Sequence, residues 1–82
     1  MSRVYRIEVI AKGISQTDFE GILNKLEINI FFCKKIIDTV FADLDVQLVS
    51  GVTKKQFKRS LMDECLKVSP KFRIRMKWNE IE

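Results

Sequence analysis

The chain has 82 residues, of which 46% are apolar, and it carries 15 Lys and Arg against 11 Asp and Glu. A chain of this length and composition is expected to fold as a single domain over residues 1–82, and such a composition argues against disorder. It contains no histidine, which removes the usual general base and the commonest zinc ligand.

The first predicted strand covers Arg3 to Lys12, where apolar residues at odd positions alternate with a mixed polar face. Gly13 ends this strand, and Ser15 with Asp18 predicts the start of a helix over about residues 16–26. Gly21 lies inside that helix, and we interpret this glycine as a site where the helix packs closely on a sheet.

Residues 28–49 are rich in β-forming side chains and contain neither Gly nor Pro. Because this is too long for one strand, we predict a hairpin of residues 28–37 with residues 40–49, turning near Asp38 and Thr39. The second of these strands alternates most regularly in the whole sequence, which is typical of a strand near the middle of a sheet. A β-bulge in the first strand would change which of Phe31 and Phe32 points inward.

Thr53 and Gln56 form a capping-box signature for a second helix over about residues 54–68, which Ser69 and Pro70 end. The last predicted strand is residues 71–78, in which apolar and basic side chains alternate strictly.

The resulting order β-α-β-β-α-β resembles the ferredoxin-like layout in element order, without a sequence motif. It implies an α+β fold in which a four-stranded antiparallel sheet, ordered 4-1-3-2, carries both helices on one face. The predicted core on the covered side of the sheet consists of Tyr5, Ile7, Val9, Val40, Ala42, Leu44, Val46, Leu48, Phe72, Ile74, Met76 and Trp78.

The sequence offers no constellation for catalysis, so we expect no enzyme, no cofactor and no metal site. Cys33 and Cys65 are far apart and are interpreted as buried, reduced thiols. Asp43 and Asp45 point the same way on one strand, but two acids alone are more typical of an exposed acidic strip than of a cation site. No signal peptide or membrane-spanning run is apparent, and a cytoplasmic protein without membrane contact is expected.

Positive charge is concentrated in the last third of the chain. Residues 53–78 contain nine basic residues and two acidic ones, Asp63 and Glu64. One basic group crowds the first turns of the second helix, where cations oppose the helix dipole unless an anion binds there. The other group lies on the uncovered face of the last strand. The predicted nucleic-acid-binding residues are Lys54, Lys55, Lys58, Arg59, Arg73, Arg75 and Lys77, gathered into one outward-facing surface.

The main hypothesis is therefore a small non-catalytic binding module for an anionic partner, with nucleic acid as the first choice, held through phosphate contacts. Base stacking is not expected, since Phe41 is the one aromatic residue predicted on the open sheet face. The alternative is a regulatory or protein-interaction domain, an inhibitor or adaptor, that docks an acidic protein surface or forms a homodimer through the sheet face or an edge strand.

Overall fold

The computed structural model describes residues 3–81 and contains the six predicted elements in the predicted order. They are β1 (Arg3–Lys12), α1 (Gln16–Lys25), β2 (Asn29–Ile36), β3 (Thr39–Leu48), α2 (Lys54–Val68) and β4 (Arg73–Glu80). All strand pairs are antiparallel and the sheet order is β2-β3-β1-β4, so the predicted ferredoxin-like arrangement is confirmed.

Both helices begin where their capping residues predict. The Ser15 hydroxyl accepts a hydrogen bond from the Asp18 N–H at the start of α1. At the start of α2, Thr53 and Gln56 exchange backbone and side-chain hydrogen bonds in a complete capping box. These bonds satisfy backbone N–H groups that have no partner within the helix.

The core lies between the sheet and the helices, and the alternation of β1 and β3 fills its sheet side. Phe19 and Leu23 of α1 and Leu61 of α2 are fully buried against it. The predicted core residues are buried except on β4, where Ile74, Met76 and Trp78 are only partly covered. β4 is an edge strand, so it has a neighbouring strand on one side only.

The prediction for Gly21 was wrong. Its position is exposed, and a Cβ placed there would meet no atom within 4 Å. The glycine that is closely packed is Gly13, which has a φ of +79° and lies against the backbone of Lys71. The β4 strand also begins two residues later than predicted, because residues 69–72 form a turn in which the Phe72 N–H bonds to the Ser69 carbonyl.

The β2–β3 hairpin turns at Ile37 and Asp38, one residue earlier than predicted, and Thr39 is the first residue of β3. Ile37 has a φ of 58° and is 91% exposed. A β-branched residue is unfavourable in this left-handed region, which hairpin turns usually fill with glycine or asparagine. Local turn stability therefore does not explain the isoleucine.

A β-bulge interrupts the pairing of β2 with β3 between Ile30 and Phe32. Ile30 and Cys33 pack towards the core, whereas Phe32 pairs with Asp43 and so lies on the open face. The inserted residue, Phe31, also reaches the open side, where its ring lies under the Arg6 guanidinium. Neither phenylalanine enters the core.

Candidate functional site

The predicted basic residues do not form one surface. Lys54, Lys55, Lys58 and Arg59 belong to α2, in the layer that covers one face of the sheet. The basic residues of β4 (Arg73, Arg75 and Lys77) alternate with residues that pack against the core, so they project from the opposite, open face. The two groups therefore lie on opposite sides of the molecule, and their role in binding an anion stays a prediction.

At the start of α2, part of the predicted anion site is already engaged within the chain. The Lys54 ammonium lies 4.7 Å from the centre of the Tyr5 ring and 5.7 Å from that of Trp78, in reach of cation–π attraction. The capping box uses the Gln56 N–H. Fewer donors are thus available to an external anion than the sequence suggests.

The open face of the sheet is partly closed by its own ion pairs. Arg6 forms an ion pair with Asp45, and this hydrogen-bonded carboxylate raises the pKa of the guanidinium above its already high usual value. Glu8 accepts a hydrogen bond from Asn79 at 3.3 Å and lies 3.9 Å from the Lys77 ammonium. Because Asp45 is paired with Arg6, Asp43 and Asp45 do not form a pair of free carboxylates for a cation.

An exposed apolar surface runs across the same face from the β2 edge. Phe31 is 65% exposed, Phe32 46% and Ile36 49%, and the half-buried Phe41 pairs in register with the exposed Ile10. The expectation that Phe41 would be the one aromatic residue here was wrong, because the β-bulge turns both β2 phenylalanines outward. We call Ile10, Phe31, Phe32, Ile36 and Phe41 the apolar patch.

The thiols have no activated character. Cys65 is buried and Cys33 is half-buried, and both are free. Burial raises the pKa of the Cys65 thiol to about 11, and burial followed by the nearby Glu20 charge raises that of Cys33. Thiolate, the nucleophilic form, is therefore scarce at neutral pH.

Over residues 3–81, no three side chains of the types that ligate metals come close enough together to hold an ion. In the same part of the chain, neither helix has the length and apolar character needed to cross a membrane.

Neither a scan against models of protein families nor a search of curated proteins finds a match to this chain. Among solved structures, aspartokinase III of E. coli, solved in complex with lysine and aspartate in its T-state, is similar with a TM-score of 0.60 and 18% identity. This likeness covers 94% of the present chain and 18% of that enzyme.

A formyltetrahydrofolate deformylase from Pseudomonas putida KT2440 is similar with a TM-score of 0.52 and 8% identity, over 90% of this chain and 28% of the other. The chain therefore spans less than a third of either protein. At these identities the likeness concerns the fold, and it agrees with the ferredoxin-like assignment.

Proposed function

We propose that this chain is a non-catalytic interaction module that docks a protein partner through the open face of its sheet. The observation that carries the proposal is the apolar patch, in which Phe31, Phe32, Ile36 and Ile10 are all exposed on one face. Single exposed apolar residues are ordinary, whereas five on one face of a small sheet, with Lys34 and Asp43 among them, support an interaction surface.

The hairpin tip supports this proposal. Ile37 follows Ile36 of the patch in sequence and is 91% exposed, in a backbone conformation that favours glycine. Strained residues that local stability does not explain are concentrated at functional sites. Contact with a partner is a reason to retain isoleucine there.

The structural neighbours support an accessory role. In both, a domain of this fold makes up a minor part of a longer enzyme chain, and the first was solved in a T-state with lysine and aspartate. A regulatory or adaptor domain is in keeping with that arrangement, and the raised thiol pKa values offer no nucleophile. We therefore favour the protein-interaction hypothesis over nucleic-acid binding.

Nucleic-acid binding is the second candidate, supported by the basic groups on α2 and β4. Three observations weigh against it: the two groups lie on opposite layers, Lys54 is engaged by aromatic rings, and Glu8, Asp43 and Asp45 lie in the middle of the open face. Acidic side chains there repel a phosphate backbone.

Site-specific photo-crosslinking in the cells that naturally make the protein tests the proposal. A benzophenone side chain replaces Phe32 on the open face or, as the matched control, the exposed Leu66 on α2. We expect a covalent adduct with one protein from position 32, resistant to nuclease, and none from position 66. An adduct that nuclease removes, equal labelling from both positions, or no adduct from position 32 contradicts the proposed function.

A further inference from the structure

The register of the sheet assembles a cluster of cations that sequence reasoning did not group. Ile10 pairs with Phe41 on one side and with Arg75 on the other, and Phe41 pairs with Lys34. In the next row, Lys12 pairs with Arg73. We call Lys12, Lys34, Arg73 and Arg75, with the apolar residues between them, the basic end of the open face.

The charge of the basic end is not balanced internally. Within residues 3–81, none of its four cations forms an ion pair. The acidic residues of the open face lie in the following rows, where Asp45 is paired with Arg6 and Glu8 with Lys77. Four positive charges therefore lie in two adjacent rows of the sheet whose strand residues include no carboxylate. Asp38, in the hairpin turn next to these rows, accepts a hydrogen bond from the Thr39 hydroxyl.

The centre of the basic end is apolar. Ile10 and Phe41 lie side by side between Lys34 and Arg75, and the remaining members of the apolar patch continue towards β2. A groove of about 450 Å³ lined by Ile10, Lys12, Arg73, Ile74 and Arg75 lies along β1 and β4. A ligand that fits must bring carboxylates to the margins and apolar side chains to the centre.

These requirements describe a peptide better than a nucleic acid. An acidic segment that also carries apolar side chains satisfies both the charge and the apolar surface. A phosphate chain satisfies the charge alone and leaves Ile10 and Phe41 without an apolar partner. Arginine moreover suits carboxylates, since its planar guanidinium binds both oxygens of a carboxyl group.

We infer that the basic end binds an acidic peptide segment of the partner, with Arg73, Arg75, Lys34 and Lys12 facing its carboxylates and Ile10 and Phe41 holding an apolar side chain. This inference rests on the proposed function, because it names the chemistry of the partner surface that meets the open face.

Selection from a phage-displayed library of random dodecapeptides tests the inference on the full-length protein at about 150 mM salt. We expect the selected sequences to combine Asp or Glu with large apolar residues. The dissociation constant of the best peptide is then measured by fluorescence anisotropy, beside that of a uridine oligonucleotide with as many phosphates as the peptide has carboxylates.

Charge-reversal variants test whether the peptide binds at the basic end. Arg75→Glu and Lys34→Glu should each weaken peptide binding at least about fivefold, since each turns an attraction into a repulsion. Lys35→Glu is the matched control, because neighbouring side chains of a strand point to opposite faces and Lys35 lies on the other face from Lys34. It should change the affinity less than about twofold.

Selection of neutral or basic peptides, no enrichment, equal loss in the control, or tighter binding of the oligonucleotide would each overturn the inference. The proposed function is tested separately. A nuclease-resistant protein adduct at position 32 together with neutral or basic selected peptides overturns the acidic-segment inference alone, whereas the absence of that adduct contradicts the docking function itself.

Discussion

At the scale of single residues, two glycines have opposite structural roles. Gly13 ends β1 with a φ of +79°, and a Cβ there would lie 2.4 Å from the Lys71 carbonyl oxygen. This oxygen belongs to the backbone, so it cannot move aside as the end of a flexible side chain would. Gly21, in contrast, lies inside α1 with open space around it.

We predict that Gly13→Ala lowers the free energy of unfolding by about 2 kcal/mol or more, from backbone strain and the clash with Lys71. Gly21→Ala should raise it by up to about 1 kcal/mol, because alanine is the better helix former and nothing obstructs its methyl group. Urea denaturation monitored by circular dichroism measures both. Similar changes for the two variants would contradict the distinction between them.

At the scale of elements, β2 is the edge strand whose free side is partly occupied by a side chain. The Gln16 amide, at the start of α1, donates to the Cys33 carbonyl at 3.3 Å and accepts from the Lys35 N–H at 3.1 Å. Cys33 and Lys35 are alternate residues, and their backbone groups point away from β3. Gln16 therefore bonds to groups that another strand would use, which protects the edge from pairing.

We predict that Gln16→Ala exposes these backbone groups. The rate at which the Lys35 amide exchanges with deuterium should rise at least about tenfold, because its hydrogen bond is lost. Nuclear magnetic resonance measures this rate. The Lys34 amide faces β3 and serves as the internal control. Light scattering should also detect more self-association than in the wild type, and unchanged exchange at Lys35 would argue against protection by Gln16.

At the scale of the whole molecule, one ion cluster connects the two helices. The Glu64 carboxylate of α2 accepts from Lys25 of α1 and from Lys67, each at 2.8 Å. The Lys25 hydrogen bond, followed by that of Lys67, lowers the pKa of Glu64 to about 2. In an unfolded chain the pKa of a glutamate is about 4.3, so the folded state holds this proton less tightly.

The stabilisation from Glu64 is therefore complete above about pH 5 and is lost as the pH falls through about 2. We predict that the melting temperature of Glu64→Gln declines less between pH 5 and pH 2 than that of the wild type, as measured by calorimetry. Glu27→Gln is the control, because Glu27 forms no ion pair with the residues described. A parallel decline of wild type and Glu64→Gln would contradict the prediction.

The layered fold also determines which charged side chains lie on the same surface. The basic residues of α2 and β4 are close in sequence, but the sheet separates them, since α2 covers one face and the β4 cations project from the other. In their place the antiparallel register joins Lys12 and Lys34, distant in sequence, to Arg73 and Arg75. Residue spacing along one chain segment contains no information about such a cluster.

The sequence by itself determined the six elements and their order, because the alternation of Val40 to Leu48 and the capping residues of both helices are local signals read over a few positions. The sheet order then followed from the resemblance of that element order to the ferredoxin-like layout. Only the tertiary structure decided which residues share the exposed surface. The β-bulge at Phe31 and the pairing of Lys34 with Phe41 depend on contacts between strands, and a shift of one residue in that pairing would have turned the same side chains to the opposite face.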